Sequence, residues 1–127
     1  MTTLLDASAL LALINEEPGA EKVEKVLEDS AISTVNAAEV ATKLAERKWT
    51  ADQIAPLFGH LQMAILPFNL DMAVTAGTLR SLTQKLGLSL GDRACLATGL
   101  VKGTDILTAD RAWTKLKIRG LTIKSIR

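Results

Sequence analysis

The architecture follows from the stretch Thr2-Thr-Leu-Leu-Asp-Ala-Ser-Ala-Leu-Leu-Ala-Leu-Ile-Asn15. Residues 2–5 form a short apolar run of strand type, residues 7–15 read as a helix, and a carboxylate, Asp6, sits at the junction. The same alternation recurs along the chain. After a break at Glu17-Pro18-Gly19, Val23, Val26 and Leu27 keep helical spacing among charges, and residues 31–35 read as a second strand. Ala37, Val40, Ala41 and Leu44 mark one face of the next helix. Residues 51–63 suggest another helix and 65–68 a third strand. Met72, Ala76, Leu79, Leu82 and Leu86 predict one long amphipathic helix stopping at Gly87. Residues 90–101 are apolar almost all round, as in a central helix, and 105–109 and 121–126 read as two further strands. Strands alternating with helices imply a central, mostly parallel twisted sheet of about five strands, covered on both faces, in one domain over residues 1–127. Such sheets place their sites outside the carboxyl ends of the strands.

Composition narrows the chemistry. Hydrophobic residues make up 48% and charged residues 23%, the balance of an ordinary globular fold rather than a disordered chain. One cysteine, Cys95, excludes an internal disulfide and a thiolate zinc site, and one histidine, His60, excludes a two-histidine acid/base pair. Four aromatics and no tyrosine leave little for a base-stacking platform. The apolar stretch 4–14 contains Asp6, has no basic residue ahead of it and is too short to span a bilayer, which points to a cytoplasmic protein. Carboxylates and hydroxyls are left to carry any catalysis.

Four carboxylates stand at strand exits or helix starts. Asp6 follows the first strand, Glu39 lies a turn after the second, Asp92 is in the first turn of the central helix, and Asp110 follows the fourth strand. For any one of them a structural role is the simpler account. Asp6 and Asp110 are good N-caps, Asn36-Ala-Ala-Glu39 and Ser89-Leu-Gly-Asp92 look like capping boxes, and Glu39 has Lys43 four residues on. Together they favour a different account. A parallel sheet would gather them at one edge, where two carboxylates about 4 Å apart repel by roughly 4 kcal/mol at an effective dielectric of 20. Proton sharing or nearby Arg and Lys would relieve this, and so would a hard divalent ion such as Mg²⁺ or Mn²⁺, which suits oxygen-only ligands at helix starts. The apolar neighbours of Asp92 favour the ion.

The blocks Leu4-Leu-Asp-Ala-Ser-Ala9, Ile32-Ser-Thr-Val-Asn-Ala-Ala-Glu-Val40, Gly87-Leu-Ser-Leu-Gly-Asp-Arg-Ala-Cys-Leu-Ala97 and Ile106-Leu-Thr-Ala-Asp-Arg111 resemble the PIN-domain family. More narrowly they are similar to the VapC toxins of bacterial toxin–antitoxin systems, in order and over the whole chain. The resemblance implies a three-layer α/β/α domain and a metal-dependent endoribonuclease with Asp6, Glu39, Asp92 and Asp110 as its acidic quartet. Asp6, Asp92 and Asp110 would be ligands of Mg²⁺ or Mn²⁺, Glu39 a ligand or the base that orients water, and Ser8 and Thr108 supporting hydroxyls. Without a histidine pair, water activated by the metal would attack the phosphate, leaving 5′-phosphate and 3′-hydroxyl ends. The resemblance also implies a homodimer and an antitoxin lying across the helices between residues 7 and 29, with Leu10, Leu13, Ile14 and Val23 as contacts, in a toxin–antitoxin hetero-oligomer. The substrate would be RNA, with transfer or ribosomal RNA favoured by analogy.

The net charge is +1, yet residues 111–127 carry six basic residues and no acid. Arg93, Arg111 and Lys115 are the candidate RNA contacts, and the alternative for each is a solvated face or a neutralising partner. Cys95 is expected to be a small buried residue, His60 to lack a catalytic role, and Trp49 and Trp113 to anchor core or interface. Two rivals remain: a PIN-like module that only binds RNA or protein, and a Mg²⁺-binding receiver-like domain. The latter usually has adjacent acids after its first strand, where this chain has Asp6 alone.

Overall fold

The computed structural model describes residues 2–127. Its five strands are β1 (Thr3–Leu5), β2 (Ser30–Ser33), β3 (Ala64–Leu66), β4 (Asp105–Thr108) and β5 (Ile123–Ser125). They form one sheet in the order β3-β2-β1-β4-β5, with every neighbouring pair parallel. Seven α-helices connect them among the described residues: α1 (Ala7–Ile14), α2 (Ala20–Val26), α3 (Thr34–Glu46), α4 (Ala51–His60), α5 (Leu70–Thr78), α6 (Arg80–Thr83) and α7 (Leu90–Lys102).

Strand alternation divides the core into two layers. Leu5, Ile32 and Leu107 face one side, packing with Ala9, Leu10, Val23, Val40, Leu44 and Ile54 of α1–α4. Their neighbours Leu4, Ala31 and Ile106 face the other, against Ala76 of α5 and Cys95, Leu96 and Ala97 of α7. This is the three-layer α/β/α arrangement the sequence pattern predicts. As expected, α7 is central: Ala94 through Gly99 are all buried.

The register fixes where the site lies. Leu5 is level with Ile32 and with Leu107, so Asp6, Ser33 and Thr108 leave the sheet at the same height on its carboxyl edge. From β1 the chain proceeds to β2 on one side, and β4 pairs on the other, so the strand order reverses beside β1, a position where open parallel sheets form a crevice.

Some elements differ from the sequence expectation. The single helix expected from Met72 to Leu86 is broken into α5, α6 and a 3₁₀ turn at Gln84–Leu86. Thr75, Gly77 and Thr78 are weak helix formers, and Thr78 donates its hydroxyl to the Thr75 carbonyl at 2.9 Å, while Leu79 turns into the core. The second strand ends at Ser33 because that serine caps α3, accepting from the Val35 amide at 3.2 Å. Asn36 is therefore inside the helix and is no N-cap. Strand β3 stops before Pro67, which has no amide to give to a ladder. Among the described residues no helix is long and apolar enough to cross a membrane.

Candidate active site

Asp6 ends β1 and caps α1. Its Oδ1 accepts from the Ala9 amide at 2.8 Å and the Ser8 hydroxyl at 2.7 Å, and its Oδ2 accepts from the Thr108 hydroxyl at 2.6 Å. The two hydroxyls are fixed in turn by β4 and the turn after it: Ser8 Oγ accepts from the Ala109 amide at 2.9 Å and Thr108 Oγ1 from the Asp110 amide at 3.1 Å. Ser8 and Thr108 thus clamp one carboxylate between two strand ends. Burial pushes the Asp6 carboxyl up from 3.8 to about 6; the bonds from Thr108, Ala9 and Ser8 pull it down, and the charge of Asp92 adds to the rise.

Asp92 reaches the same edge from the start of α7. Ser89 and Asp92 form a reciprocal capping box: the Asp92 amide donates to Ser89 Oγ at 3.1 Å and the Ser89 amide to Asp92 Oδ2 at 3.0 Å. Its apolar neighbours in sequence mostly point inward, so Asp92 is half-buried rather than enclosed, and Leu90 is exposed. Glu39 projects from α3, with Oε1 accepting from Asn36 Nδ2 at 2.6 Å. Asp110 caps the 3₁₀ turn Arg111–Lys115 by accepting from the Ala112 amide at 3.0 Å. The capping reading of Asp6, Asp92 and Asp110 is therefore correct, and it does not exhaust them.

All four acids line one open cleft of about 220 Å³, together with Ala7, Ser8, Leu11, Lys43 and Trp113. No ion pair among the described residues involves any of the four: the pairs are Lys43–Glu46, Lys124–Asp105 and Arg127–Glu17. Lys43 pairs with Glu46 at 3.8 Å and not with Glu39 as the i,i+4 spacing suggests. Within the chain, no hydrogen bond of the described residues uses Oδ1 of Asp92, Oδ2 of Asp110 or Oε2 of Glu39. These oxygens fit a hard divalent cation in kind. As they stand, no three carboxylate, thiolate or imidazole groups among the described residues are arranged to hold a metal ion, so the side chains would have to turn toward it.

The cations lie elsewhere than the sequence suggests. Arg93 does not line the cleft; its Nη1 donates to the Ala76 carbonyl of α5 at 2.9 Å, and its Nε is buried without a partner. Arg111 donates from Nε to the main-chain oxygen of Arg127 at 2.8 Å, and Lys115 is exposed at the end of its 3₁₀ turn; neither lines the cleft. Lys43 does line it, and Arg47 and Arg127 line the adjoining groove, which shares Ser8, Leu11 and Lys43 with it. A sequence signal for two of them existed, because Glu39, Lys43 and Arg47 follow each other at intervals of four along α3 and its C-terminal cap. Of the expected partner contacts, Leu10 and Val23 are fully buried in the core and cannot meet a partner, while Leu13 and Ile14 are half-buried. Cys95 is buried and its thiol is pushed well up by that burial, and Trp113 is core; His60 and Trp49 are exposed.

The fold has counterparts among solved structures. Among solved structures, the chain is similar to VapBC2 from Rickettsia felis bound to a promoter DNA fragment, at 18% identity and a TM-score of 0.76, covering 98% of both chains. It is also similar to VapBC-1 from nontypeable Haemophilus influenzae (19% identity, TM-score 0.73, 99% of this chain and 98% of that one). A toxin–antitoxin complex from Klebsiella pneumoniae aligns at 23% identity and a TM-score of 0.72, over 95% of this chain and 96% of that one. No curated protein matches the chain in sequence. The model of the PIN domain matches residues 3–118, nearly the whole chain and a span that contains the positions of all four acids, and so the chain belongs to the PIN-domain family.

Proposed function

We propose that this chain is a divalent-metal-dependent endoribonuclease, the toxin of a toxin–antitoxin pair, acting in the cytoplasm as one domain over residues 1–127. The observation that carries the reading is the cleft in which Asp6, Glu39, Asp92 and Asp110 meet without a cationic side chain paired to any of them. Asp6, Asp92 and Asp110 would hold Mg²⁺ or Mn²⁺, which supplies acidified water and neutralises phosphate charge when bound. Ser8 and Thr108 keep the Asp6 oxygens oriented, and Glu39 is a further ligand or the base that takes a proton from the attacking water. With one histidine, and that one exposed, the chain lacks a histidine pair to act on a 2′-hydroxyl, and attack by metal-activated water would leave 5′-phosphate and 3′-hydroxyl ends. The toxin assignment is supported by relatives solved as toxin–antitoxin complexes. By analogy with them the chain assembles with an antitoxin, and its resemblance to the VapC toxins implies a homodimer within that hetero-oligomer.

Purified protein should cut RNA in Mg²⁺ or Mn²⁺ and stop in excess chelator. Asp6→Asn and Asp92→Asn should abolish cutting while circular dichroism shows a retained fold. Undiminished cleavage in excess chelator would overturn the metal mechanism. Sequencing of the 5′-phosphorylated ends that appear on induction would identify the RNA.

A further inference from the structure

We propose that Asn36 is a positioning residue that seats the Glu39 carboxylate, as a metal ligand, over Gly91, at the first turn of α7, so that α3 and α7 present their acids to one cleft; this rests on the metal-nuclease reading above with Glu39 as ligand rather than base. Asn36 is 1% exposed, and its Nδ2 donates to Glu39 Oε1 at 2.6 Å and to the Gly91 carbonyl at 3.0 Å. Two acceptors fix the amide orientation, since the opposite flip would set Oδ1 against two oxygens. Among the described residues Oδ1 is left buried with no partner, so the side chain is held through its two Nδ2 bonds alone. The other half of the seat is an absence. A Cβ on Gly91 would collide with Oε2 of Glu39 and come within 2.6 Å of its Cδ and 2.8 Å of its Oε1. Glycine in a first helical turn is a weak helix former, and here the carboxylate occupies the space that a better one would fill. Asn36 touches no reacting atom in this account; it acts through Glu39.

The test is Mn²⁺ affinity of the full chain, read from the electron paramagnetic resonance signal of free Mn²⁺, together with thermal unfolding of the metal-free protein. Asn36→Ala, Asn36→Asp and Gly91→Ala are each made with Glu39 present and in Glu39→Ala. With Glu39 present, Asn36→Ala and Gly91→Ala should each weaken Mn²⁺ binding by about 10- to 100-fold, the usual loss when a residue orienting a ligand is removed. Asn36→Asp keeps the size and removes the donor but adds a charge that attracts the cation, so Asn36→Ala is the deciding variant. None should fall below Glu39→Ala, and none should weaken binding further in that background. Gly91→Ala should lower the melting temperature with Glu39 present and raise it in Glu39→Ala, where the collision is gone and alanine favours the helix. Unchanged Mn²⁺ affinity in Asn36→Ala, or equal destabilisation by Gly91→Ala in both backgrounds, would overturn the proposal and leave the nuclease reading standing. A wild type that binds no Mn²⁺ would overturn both.

Discussion

Asp6 gathers three donors and is still a reluctant anion, because burial outweighs the hydrogen bonds from Thr108, Ala9 and Ser8. Its carboxyl is raised from 3.8 to about 6, so the folded chain holds the Asp6 proton more tightly than the unfolded chain does. The stability this contributes is complete below the unfolded value and is lost as pH climbs through about 6. Roughly two pKa units correspond to about 3 kcal/mol in the metal-free protein. Asp6→Asn cannot titrate, and its amide can still meet the Ser8 and Thr108 hydroxyls, which accept as well as donate. In chelator the variant should therefore exceed the wild type in stability at about pH 8, with the gap closing toward pH 4 as the wild-type carboxyl takes up its proton. Urea unfolding at a series of pH values measures it, and a gap independent of pH would refute the raised carboxyl. A divalent ion that binds only the folded chain should work the other way, adding about 2.7 kcal/mol to the wild type at a hundred times its dissociation constant. That gain should be absent from Asp6→Asn.

Helix α7 joins the site to the core, and its two ends respond to different changes. Ser89→Ala removes the acceptor for the Asp92 amide and should cost about 1 kcal/mol, most of it restored by Ser89→Thr. Because the box also holds Asp92 Oδ2, cleavage should fall more than stability suggests; chemical unfolding and a cleavage assay on the same preparations separate the two. Deeper in the helix, a Cβ on Gly99 would lie 2.8 Å from Ile106 Cδ1 and 3.2 Å from Leu121 Cδ1. Gly99→Ala should therefore destabilise by about 1–3 kcal/mol as an overpacked core does. Ile106→Val, which removes that Cδ1, should recover part of the loss, and simple additivity of the two variants would argue against the contact. At this scale the sequence was read well where periodicity is unambiguous. The buried run Ala94–Gly99 and the strand-exit positions of Asp6 and Asp110 follow from apolar spacing and turn chemistry. The break at Leu79 does not, since Met72, Ala76, Leu79, Leu82 and Leu86 keep one helical rhythm through it and only Thr75, Gly77 and Thr78 oppose. Asn36 was visible as a neighbour of Glu39, but its bond to the Gly91 carbonyl spans 55 residues and no local pattern announces it.

Across the whole molecule the acids were legible and the cations were not. Each acid belongs to a strand exit or helix start, which sequence locates; a cation's distance from the cleft depends on how distant segments pack. The basic run after residue 110 suggested an RNA-holding tail, yet Lys117 and Arg119 line a separate groove with Thr114, Leu116 and Ile123 that shares no residue with the cleft. Instead the C-terminal strand brings Arg127 back to the turn between α1 and α2, where it donates to Glu17 Oε1 at 3.0 Å and to the Pro18 carbonyl at 2.9 Å. Arg47, anchored by Asn15 Oδ1, and Lys43 flank the same groove from α3. A phosphodiester chain leaving the four acids along this groove would meet Lys43 first and Arg47 and Arg127 beyond it. Glu46, which pairs with Lys43, is exposed and Glu17, which pairs with Arg127, is half-buried, so phosphate can compete for Lys43 at little desolvation cost. Neutralising Lys43, Arg47 and Arg127 together, in an Asp6→Asn background where the RNA stays whole, should flatten the dependence of log affinity on log salt. The slope should fall by about 0.7 for each phosphate that is no longer neutralised, about 2 in all for a single strand. Neutralising Lys115, Lys117 and Arg119 should leave it nearly unchanged. The reverse pattern would put the RNA on the C-terminal face, and the four acids would then have to be reached from the side of β5.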